Sequence, residues 1–105
     1  MKPKKKKDSF LLLRLYVAGA FPNSISAVAN LNAMAQEFLP NRHKIEIIDT
    51  LDVPIKALQE GVLVTPTLMI KKGSLPVKTI IGDLSDKPKI SIWFEKELSA
   101  GKKAL

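Results

Sequence analysis

The stretch VTPTLMIKKGSLPVKTIIGDLS, residues 64–85, decides the fold. An apolar run over residues 62–70 leads into the turn sequence KKGS at 71–74, and a second apolar run, VKTII, follows at 77–81. This pattern predicts two strands joined as an antiparallel hairpin. Pro66 interrupts the first run. Because proline removes a backbone donor, it favours the start of an edge-like segment over the middle of a central strand.

Strands and helices alternate in the rest of the chain. The segments FLLLRLYVA, residues 10–18, and KIEIID, residues 44–49, are predicted to be strands, the first buried and the second at the edge of the sheet. Between them, apolar residues at helical spacing predict a helix that stops at Pro40. The residues expected on its inward face are Ile25, Val28, Leu31, Met34, Ala35 and Phe38.

A short helix is predicted between the second and third strands. Pro54 suits its first turn and Gly61 suits its end. Ile55 and Leu58 are expected to face inward, which leaves Lys56 on the exposed side.

The last segment, KISIWFEKEL at residues 89–98, fits two patterns. Alternate residues are apolar, as in a strand, and an equally good helical stripe passes through Trp93 and Phe94. We predict a helix from about Pro88 to Leu98, with Gly101 just past its end. A segment without a firm local preference is also what a chain with two folds needs.

The predicted order is strand, helix, strand, helix, strand, strand, helix, an α/β fold of βαβαββα type. This order resembles the thioredoxin core, in which a Cys-Gly-Pro-Cys turn precedes the first helix. Here AFPN, residues 20–23, occupies that place, and VTPTL at 64–68 matches the strand that faces the turn in thioredoxins. The resemblance implies that Pro66 is a structural cis-proline and that backbone groups near it are available to a bound chain.

The residue types present exclude several chemistries. The 105 residues form one domain and include no Cys, which excludes disulfides and thiol catalysis. His43 is the single histidine, so no metal site is expected and a surface turn is predicted for it. Asp83 and Asp86 are expected to cap the last helix rather than act as a catalytic pair.

The net charge of +7 belongs to the ends of the chain. Five lysines lie within residues 2–7 and two more at 102–103, while residues 8–101 carry ten basic and ten acidic groups. We therefore expect a disordered basic tail over 1–9, a folded domain over 10–99 and a second tail over 100–105. Nucleic acid is not expected as a partner, because the sequence has no ribonucleoprotein motif and no basic recognition helix. No membrane is expected either, and a cytoplasmic location is expected, because no apolar run reaches the length of a membrane span.

Four short motifs in order resemble the KaiB family of circadian clock proteins and its relatives outside cyanobacteria. They are LYVAG at 15–19, PNS at 22–24, VTPTL at 64–68 and IIGDLSD at 80–86. The resemblance extends over about residues 10–98. It implies a non-catalytic regulator without cofactors that docks on a KaiC-type ATPase and autokinase, displaces a thioredoxin-like sensor histidine kinase and captures KaiA.

The same resemblance implies two folds. One is a ground state of βαββααβ order that forms tetramers, and the other is a thioredoxin-like monomer that binds KaiC. It further implies roles for particular residues. Lys56 is expected either to contribute to docking on the ATPase or to be an ordinary solvated lysine, and Thr65 is expected to bind a partner. Lys44 and Glu46 are expected to lie on an edge strand, where they either recognise a partner such as KaiA or guard the edge. The expected fold-switch segment includes Gly82, Asp83, Trp93 and Phe94.

The chain departs from the family pattern in three places. Ser26 and Ala29 stand where cyanobacterial members carry basic residues, and the acidic C-terminal tail of those members is replaced by SAGKKAL. Trp93 and Glu95 replace a Gly and an Asp. Because removing a glycine favours a helix by about 1 kcal/mol, we predict that this chain leans toward the thioredoxin-like form.

Two other functions fit the residues. A thiol-less thioredoxin-like adaptor in a stress response would use the groove beside Pro66 without any KaiC. A glutathione-binding protein would use the Ser24 hydroxyl near the start of the first helix, although Ser24 also suits a purely structural place in the first turn.

Overall fold

The chain folds into a four-stranded sheet with helices on both of its faces. The structure, a computed structural model, describes residues 10–73 and 75–102, so the predicted tail over residues 1–9 lies outside the described residues. In chain order the elements are β1 (Leu11–Val17), α1 (Pro22–Phe38), β2 (His43–Asp49), α2 (Pro54–Gln59), β3 (Thr67–Lys72), β4 (Leu75–Ile81) and α3 (Lys87–Lys102). This order confirms the predicted βαβαββα fold class. None of the helices in this part of the chain has the length and apolar character needed to cross a membrane.

The strand order in the sheet is β2-β1-β3-β4. β1 pairs in parallel with β2 and antiparallel with β3, and β3 pairs antiparallel with β4. The predicted hairpin and the predicted edge position of KIEIID are therefore confirmed. The pairing of β3 with β4 shifts register between Ile70 and Lys71, next to the turn.

The core lies mainly on one face of the sheet. Alternate residues of β1, such as Leu13 and Leu15, are fully buried there against α1 and α3, and each buried side chain of this size contributes about 1.5–3 kcal/mol. On the opposite face a smaller cluster joins Tyr16 of β1 to Ala57 of α2 and Val62. α2 therefore covers only the part of this face around Tyr16.

The inward face of α1 differs from the prediction at one position. The structure buries Leu31, Met34 and Ala35 and half-buries Val28 and Phe38. Ile25 is 57% exposed, so its predicted inward placement is wrong. Ser24 takes the inward position at this turn instead, where its hydroxyl accepts a hydrogen bond from the Ala18 N–H at 3.0 Å.

The predicted burial of Ile55 and Leu58 is also wrong. The two side chains are 67% and 58% exposed, whereas Ala57 between them is buried. α2 has only six residues and contacts the sheet through one small side chain, Ala57, which packs with Tyr16 and Val62. The larger side chains of the helix therefore turn away from the sheet.

The third strand begins later than the apolar run predicts. It starts at Thr67 rather than at Val62. The Val62 N–H donates to the Ala57 carbonyl oxygen at 3.0 Å, which turns the start of the run back toward α2 and keeps it out of the sheet.

The last helix is longer than predicted. It continues to Lys102 and contains Gly101, so Gly101 does not end it. Glycine inside a helix costs about 1 kcal/mol relative to alanine, which this helix tolerates in its final turn. At the other end, the Asp86 carboxylate accepts the Lys89 N–H at 3.4 Å as a cap, while Asp83 accepts the Ser85 N–H at 3.0 Å and shapes the preceding turn.

Candidate protein-binding site

Three connections meet at one end of the sheet. The carboxyl ends of β1 and β2 and the amino end of β3 lie at this end, because β1 and β2 run parallel and β3 runs against them. The connections β1–α1, β2–α2 and α2–β3 converge there. Loops carried by a rigid sheet in this way are common binding elements.

Asp49, the last residue of β2, joins two of these connections. Its Oδ1 accepts hydrogen bonds from the N–H groups of Gly19 and Leu51, both at 3.0 Å. The N–H and hydroxyl of Thr50 both donate to the Val17 carbonyl oxygen, at 2.8 and 3.0 Å. Gly19 has φ +54°, a conformation that is strained for other residues, and a Cβ at this position would lie 3.1 Å from Leu51 Cδ1, so this position favours glycine.

Large apolar side chains are exposed on all three connections and on the adjoining turns of α1 and α2. Their exposed fractions run from 36% at Val53 to 80% at Leu63. We call this group the apolar end surface. Its members are Phe21, Ile25, Leu51, Val53, Ile55, Leu58, Leu63 and Val64. Large exposed apolar patches are rare on proteins that act alone and mark sites that bind another protein, so these side chains make this end of the molecule a candidate for such a site.

The sequence-predicted residues Lys56 and Thr65 both lie at this end of the molecule. Lys56 is exposed on α2, between Ile55 and Ala57 in sequence. Thr65 is half-buried and lines a small cavity of about 350 Å³ with Phe21 and Asn23. The Thr65–Pro66 peptide bond is cis.

The positions that match the thioredoxin cysteines carry no thiol. Ala20 and Asn23 stand there, at the start of α1. Ser24, the alternative reactive group, is 2% exposed, and its hydroxyl oxygen is occupied by the Ala18 N–H. The arrangement gives Ser24 a structural role in closing the β1–α1 connection.

A cluster of charged and polar side chains lies on the face of the sheet beside α2. Arg14 Nε donates to Glu46 Oε1 at 2.9 Å, and Arg14 Nη1 lies 3.8 Å from Glu60 Oε1. The Tyr16 hydroxyl donates to the same Glu60 oxygen. Lys44 Nζ lies 3.9 Å from Glu46 Oε2. The cluster connects the edge strand β2, the central strand β1 and the end of α2.

These contacts shift three pKa values. The hydrogen bond from Arg14, together with the charges of Arg14, Lys44 and Lys71, holds the pKa of Glu46 below its usual range despite partial burial. The hydrogen bond to Glu46 raises the pKa of Arg14. Burial, followed by the hydrogen bond to Glu60, raises the pKa of Tyr16. Of the predicted edge residues, Glu46 is therefore engaged inside the molecule, and Lys44 is largely exposed beside it.

The predicted fold-switch residues fall into two environments. Gly82, Asp83 and Trp93 line a groove of about 540 Å³ between the end of β4 and α3, whereas Phe94 is fully buried in the core. The rings of Trp93 and Phe94 pack edge to face, with centroids 6.0 Å apart. Gly82 has φ +121°, and the Asp83 carbonyl oxygen accepts a hydrogen bond from the Asn30 side chain at 2.8 Å.

His43 is the first residue of β2, directly after the turn that follows α1, so its predicted place in a surface turn is wrong. Its Nδ1 lies 2.6 Å from the Leu39 carbonyl oxygen, and the ring is half-buried. Within residues 10–73 and 75–102 there is no group of three or more His, Asp or Glu side chains arranged to hold a metal ion.

Sequence reasoning missed four residues that organise the site: Asp49, Arg14, Tyr16 and Glu60. The sequence did indicate a role for Arg14, because a charged residue inside an apolar strand requires a partner. It also indicated a role for Asp49, which is followed by Thr50 at the end of a strand, because such side chains bond to nearby backbone groups.

The fold places the chain in a recognisable class of proteins. It superposes on a thioredoxin from Fasciola hepatica with a TM-score of 0.70 and 16% identity, covering 91% of this chain and 88% of that one. It also superposes on the germline-specific thioredoxin Deadhead from Drosophila melanogaster, with a TM-score of 0.69 and 15% identity, covering 90% and 88%. These likenesses show a thioredoxin-like fold, here without the thiols.

The sequence identifies the family within this class. The KaiB domain model matches residues 14–96. The circadian clock protein KaiB3 of Synechocystis sp. is 42% identical over 85 residues, 81% of this chain and 82% of the relative. The circadian clock oscillator protein KaiB of Prochlorococcus marinus is 39% identical over 100 residues, 88% and 92% of the two chains. The chain belongs to the KaiB family.

Proposed function

We propose that this protein is a KaiB-type clock regulator that binds a KaiC-type ATPase and acts without catalysis. The observation that carries the proposal is the apolar end surface, found on a chain whose relatives are circadian clock proteins. Eight large apolar side chains remain in water unless a partner covers them. Covering them would supply the main free energy of association.

The way the surface is built supports this proposal. Asp49 fixes the β1–α1 and β2–α2 connections to each other through Gly19 and Leu51. A surface held in one arrangement loses little conformational entropy when it binds. Lys56 stands inside the surface as an exposed cation, so an acidic group on the ATPase would add orientation and selectivity.

The residues at the former thiol positions support a binding role over an enzymatic one. Ala20 and Asn23 supply no nucleophile, and the buried Ser24 hydroxyl accepts a hydrogen bond from the backbone. A regulator of this kind would act in the cytoplasm by occupying the ATPase and so controlling a sensor histidine kinase pathway. The edge strand β2, with Lys44 and Glu46, would be a second interface for a further protein.

Size-exclusion chromatography with the KaiC-type ATPase of the same organism tests the proposal. We expect co-elution that differs between ATP and ADP, because the nucleotide state of the ATPase would set the accessibility of its binding surface. Glutathione resin serves as the parallel arm. Absence of co-elution in both nucleotide states would contradict the proposal, and retention on the resin would favour the glutathione-binding alternative.

A further inference from the structure

β4 is the last strand of the sheet, and one of its edges has no partner strand. The order β2-β1-β3-β4 puts β3 on one side of β4, and no described element pairs with its other side. The first half of β4 is poorly suited to pairing, because it contains Pro76 and because the register shift after Ile70 lies opposite it. Residues 79–81 have neither obstacle. The open part of the edge is therefore the end of β4 that leads into Gly82.

The backbone groups of Thr79 and Ile81 point out from this edge. Successive residues of a strand direct their N–H and carbonyl groups to opposite sides. The Gly82 N–H donates to the Pro66 carbonyl oxygen at 3.0 Å, so the backbone groups of Gly82, and of Ile80 two residues earlier, are directed toward β3. Thr79 and Ile81, both exposed, therefore offer two N–H donors and two carbonyl acceptors to an incoming strand.

A groove of about 540 Å³ runs beside this edge, between β4 and α3. Its volume is within the range of about 300–1,000 Å³ that is usual for binding sites. It is lined by half-buried Ile80 and Trp93, by buried Ile90 and by Ile92, which is 63% exposed. Because the side chains of a strand alternate between the two faces of a sheet, every second side chain of an added strand would enter this groove.

Two lysines of the groove have no acidic partner. Lys78 on β4 and Lys89 on α3 are both exposed, and neither forms an ion pair within the part of the chain that the structure describes. The two aspartates of the groove already accept backbone N–H groups. Asp83 accepts that of Ser85 at 3.0 Å, and Asp86 accepts that of Lys89 at 3.4 Å. Charge complementarity therefore favours a ligand that brings a carboxylate to the lysines.

We propose that the free edge of β4 binds an extended segment of another protein by strand addition. The segment has apolar side chains at alternate positions, which enter the groove, and an acidic side chain in the same series, which meets Lys78 and Lys89. Backbone hydrogen bonds to Thr79 and Ile81 hold the segment in register. A second copy of this chain fits less well, because β4 has no acidic residue and would bring its own Lys78 to the lysines of the groove.

A synthetic peptide tests this site on the full chain without any ATPase, and so independently of the proposed function. The probe is Glu-Thr-Ile-Thr-Ile-Thr, acetylated and amidated. We expect it to change the fluorescence of Trp93, the only tryptophan. In amide NMR, hydrogen exchange at Thr79 and Ile81 should slow about tenfold or more at saturation, whereas Ile80, already paired with β3, should change little.

Variants of the protein and of the peptide separate the backbone and charge contributions. Lys89→Gln should weaken binding about threefold, and Lys in place of Glu in the peptide should weaken it about tenfold. Arg42→Gln, which removes an exposed positive charge at the opposite end of the sheet, is the control and should change the affinity little. N-methylation of alternate peptide residues should abolish binding when it blocks the edge that faces β4, and should leave binding intact on the other edge.

Four results would overturn the proposal. The first is the absence of binding at millimolar peptide. The second is unchanged exchange at Thr79 and Ile81 in the presence of saturating peptide, which would exclude strand addition. The third is full binding by both N-methylated peptides. The fourth is tighter binding of the lysine-containing peptide, which would show that the groove does not select a carboxylate.

Discussion

Leu63 is the residue at which the proposed docking can be tested most directly. Its side chain is 80% exposed in the middle of the α2–β3 connection. We predict that Leu63→Asp lowers the affinity for the KaiC-type ATPase at least tenfold, because a charge would be buried against an apolar partner surface. The stability of the free protein should change by less than about 0.5 kcal/mol, because the side chain is already in water. Isothermal titration calorimetry and urea unfolding measure the two effects.

Ile92 provides the matched control for this substitution. It is 63% exposed on α3, outside the apolar end surface. Ile92→Asp should therefore leave binding of the ATPase nearly unchanged. Equal losses of affinity in the two variants would show that the apolar end surface is not the docking site.

Glu46 is predicted to make stability depend on pH. Arg14 holds the pKa of Glu46 below its ordinary value of about 4.3, so around that pH the native state binds fewer protons than the unfolded chain. The free energy of unfolding therefore includes a contribution that is present above this range and is lost as the pH falls through the lowered pKa. Because the side chain is one-third exposed, the contribution at neutral pH should be less than about 1 kcal/mol.

Glu46→Gln should remove this contribution and flatten that part of the stability profile. Urea unfolding between neutral and acidic pH measures it, with Glu95→Gln, an exposed glutamate on α3, as control. A profile for Glu46→Gln that matches the unmodified protein would show that the ion pair does not contribute to folding.

At the scale of elements, α2 depends on its tertiary contacts. Six residues are too few for a helix to be stable by itself in water. Buried Ala57 and the hydrogen bond from Tyr16 to Glu60 hold α2 against the sheet. Arg14 reaches the same carboxylate from β1. These contacts decide whether the exposed part of α2 keeps its arrangement.

We predict that Tyr16→Phe lowers the free energy of unfolding by about 1 kcal/mol, the usual contribution of one hydrogen bond. The ring still fills its place, so the packing of the sheet should persist. Hydrogen exchange should become faster over residues 54–60 and stay nearly unchanged in β1 and β3. A uniform increase across the sheet would contradict a local anchoring role for Tyr16.

The elements also show how far the sequence determines the fold. The order of elements, the hairpin and the edge strand follow from apolar periodicity and turn residues, and the structure has all three. The three errors in predicted burial share one cause. Ile25, Ile55 and Leu58 were assigned to the core because an apolar residue at helical spacing has the same pattern whether it faces the core or a partner. All three belong to the apolar end surface.

The late start of β3 and the hydrogen bonds of the site could not be predicted from apolar periodicity, for a different reason. Val62 is kept out of the sheet by a backbone bond to Ala57, and Asp49 joins loops separated by thirty residues in sequence. Such contacts depend on how the elements pack, and local composition does not report them. The convergence of Lys56 and Thr65 at one end follows from the strand order, once the fold class is accepted.

For the whole molecule, we predict that the thioredoxin-like form is favoured more strongly here than in cyanobacterial relatives. Trp93 stands where the family resemblance implies a glycine, and a tryptophan has a higher helix propensity than glycine. Its ring packs edge to face against buried Phe94 within α3. A concentration series by analytical ultracentrifugation should show a monomer, and amide NMR should show helix over residues 90–94. Because Trp93 is the only tryptophan, its fluorescence gives a second reading of this segment.

If the Trp93 side chain favours the thioredoxin-like monomer, Trp93→Gly should shift the population of molecules toward a larger assembly. A stable tetramer of the unmodified protein at low micromolar concentration, with residues 90–94 in a strand, would contradict the prediction. If the unmodified protein and Trp93→Gly are both monomers, Trp93 does not determine which of the two folds is populated.

The seven-residue length of β1 holds the apolar end surface about 23 Å from the opposite end of the sheet. A tether or label attached at that opposite end would therefore stay clear of a partner docked on the loops. A molecule immobilised in this way would keep its binding end open to the solution.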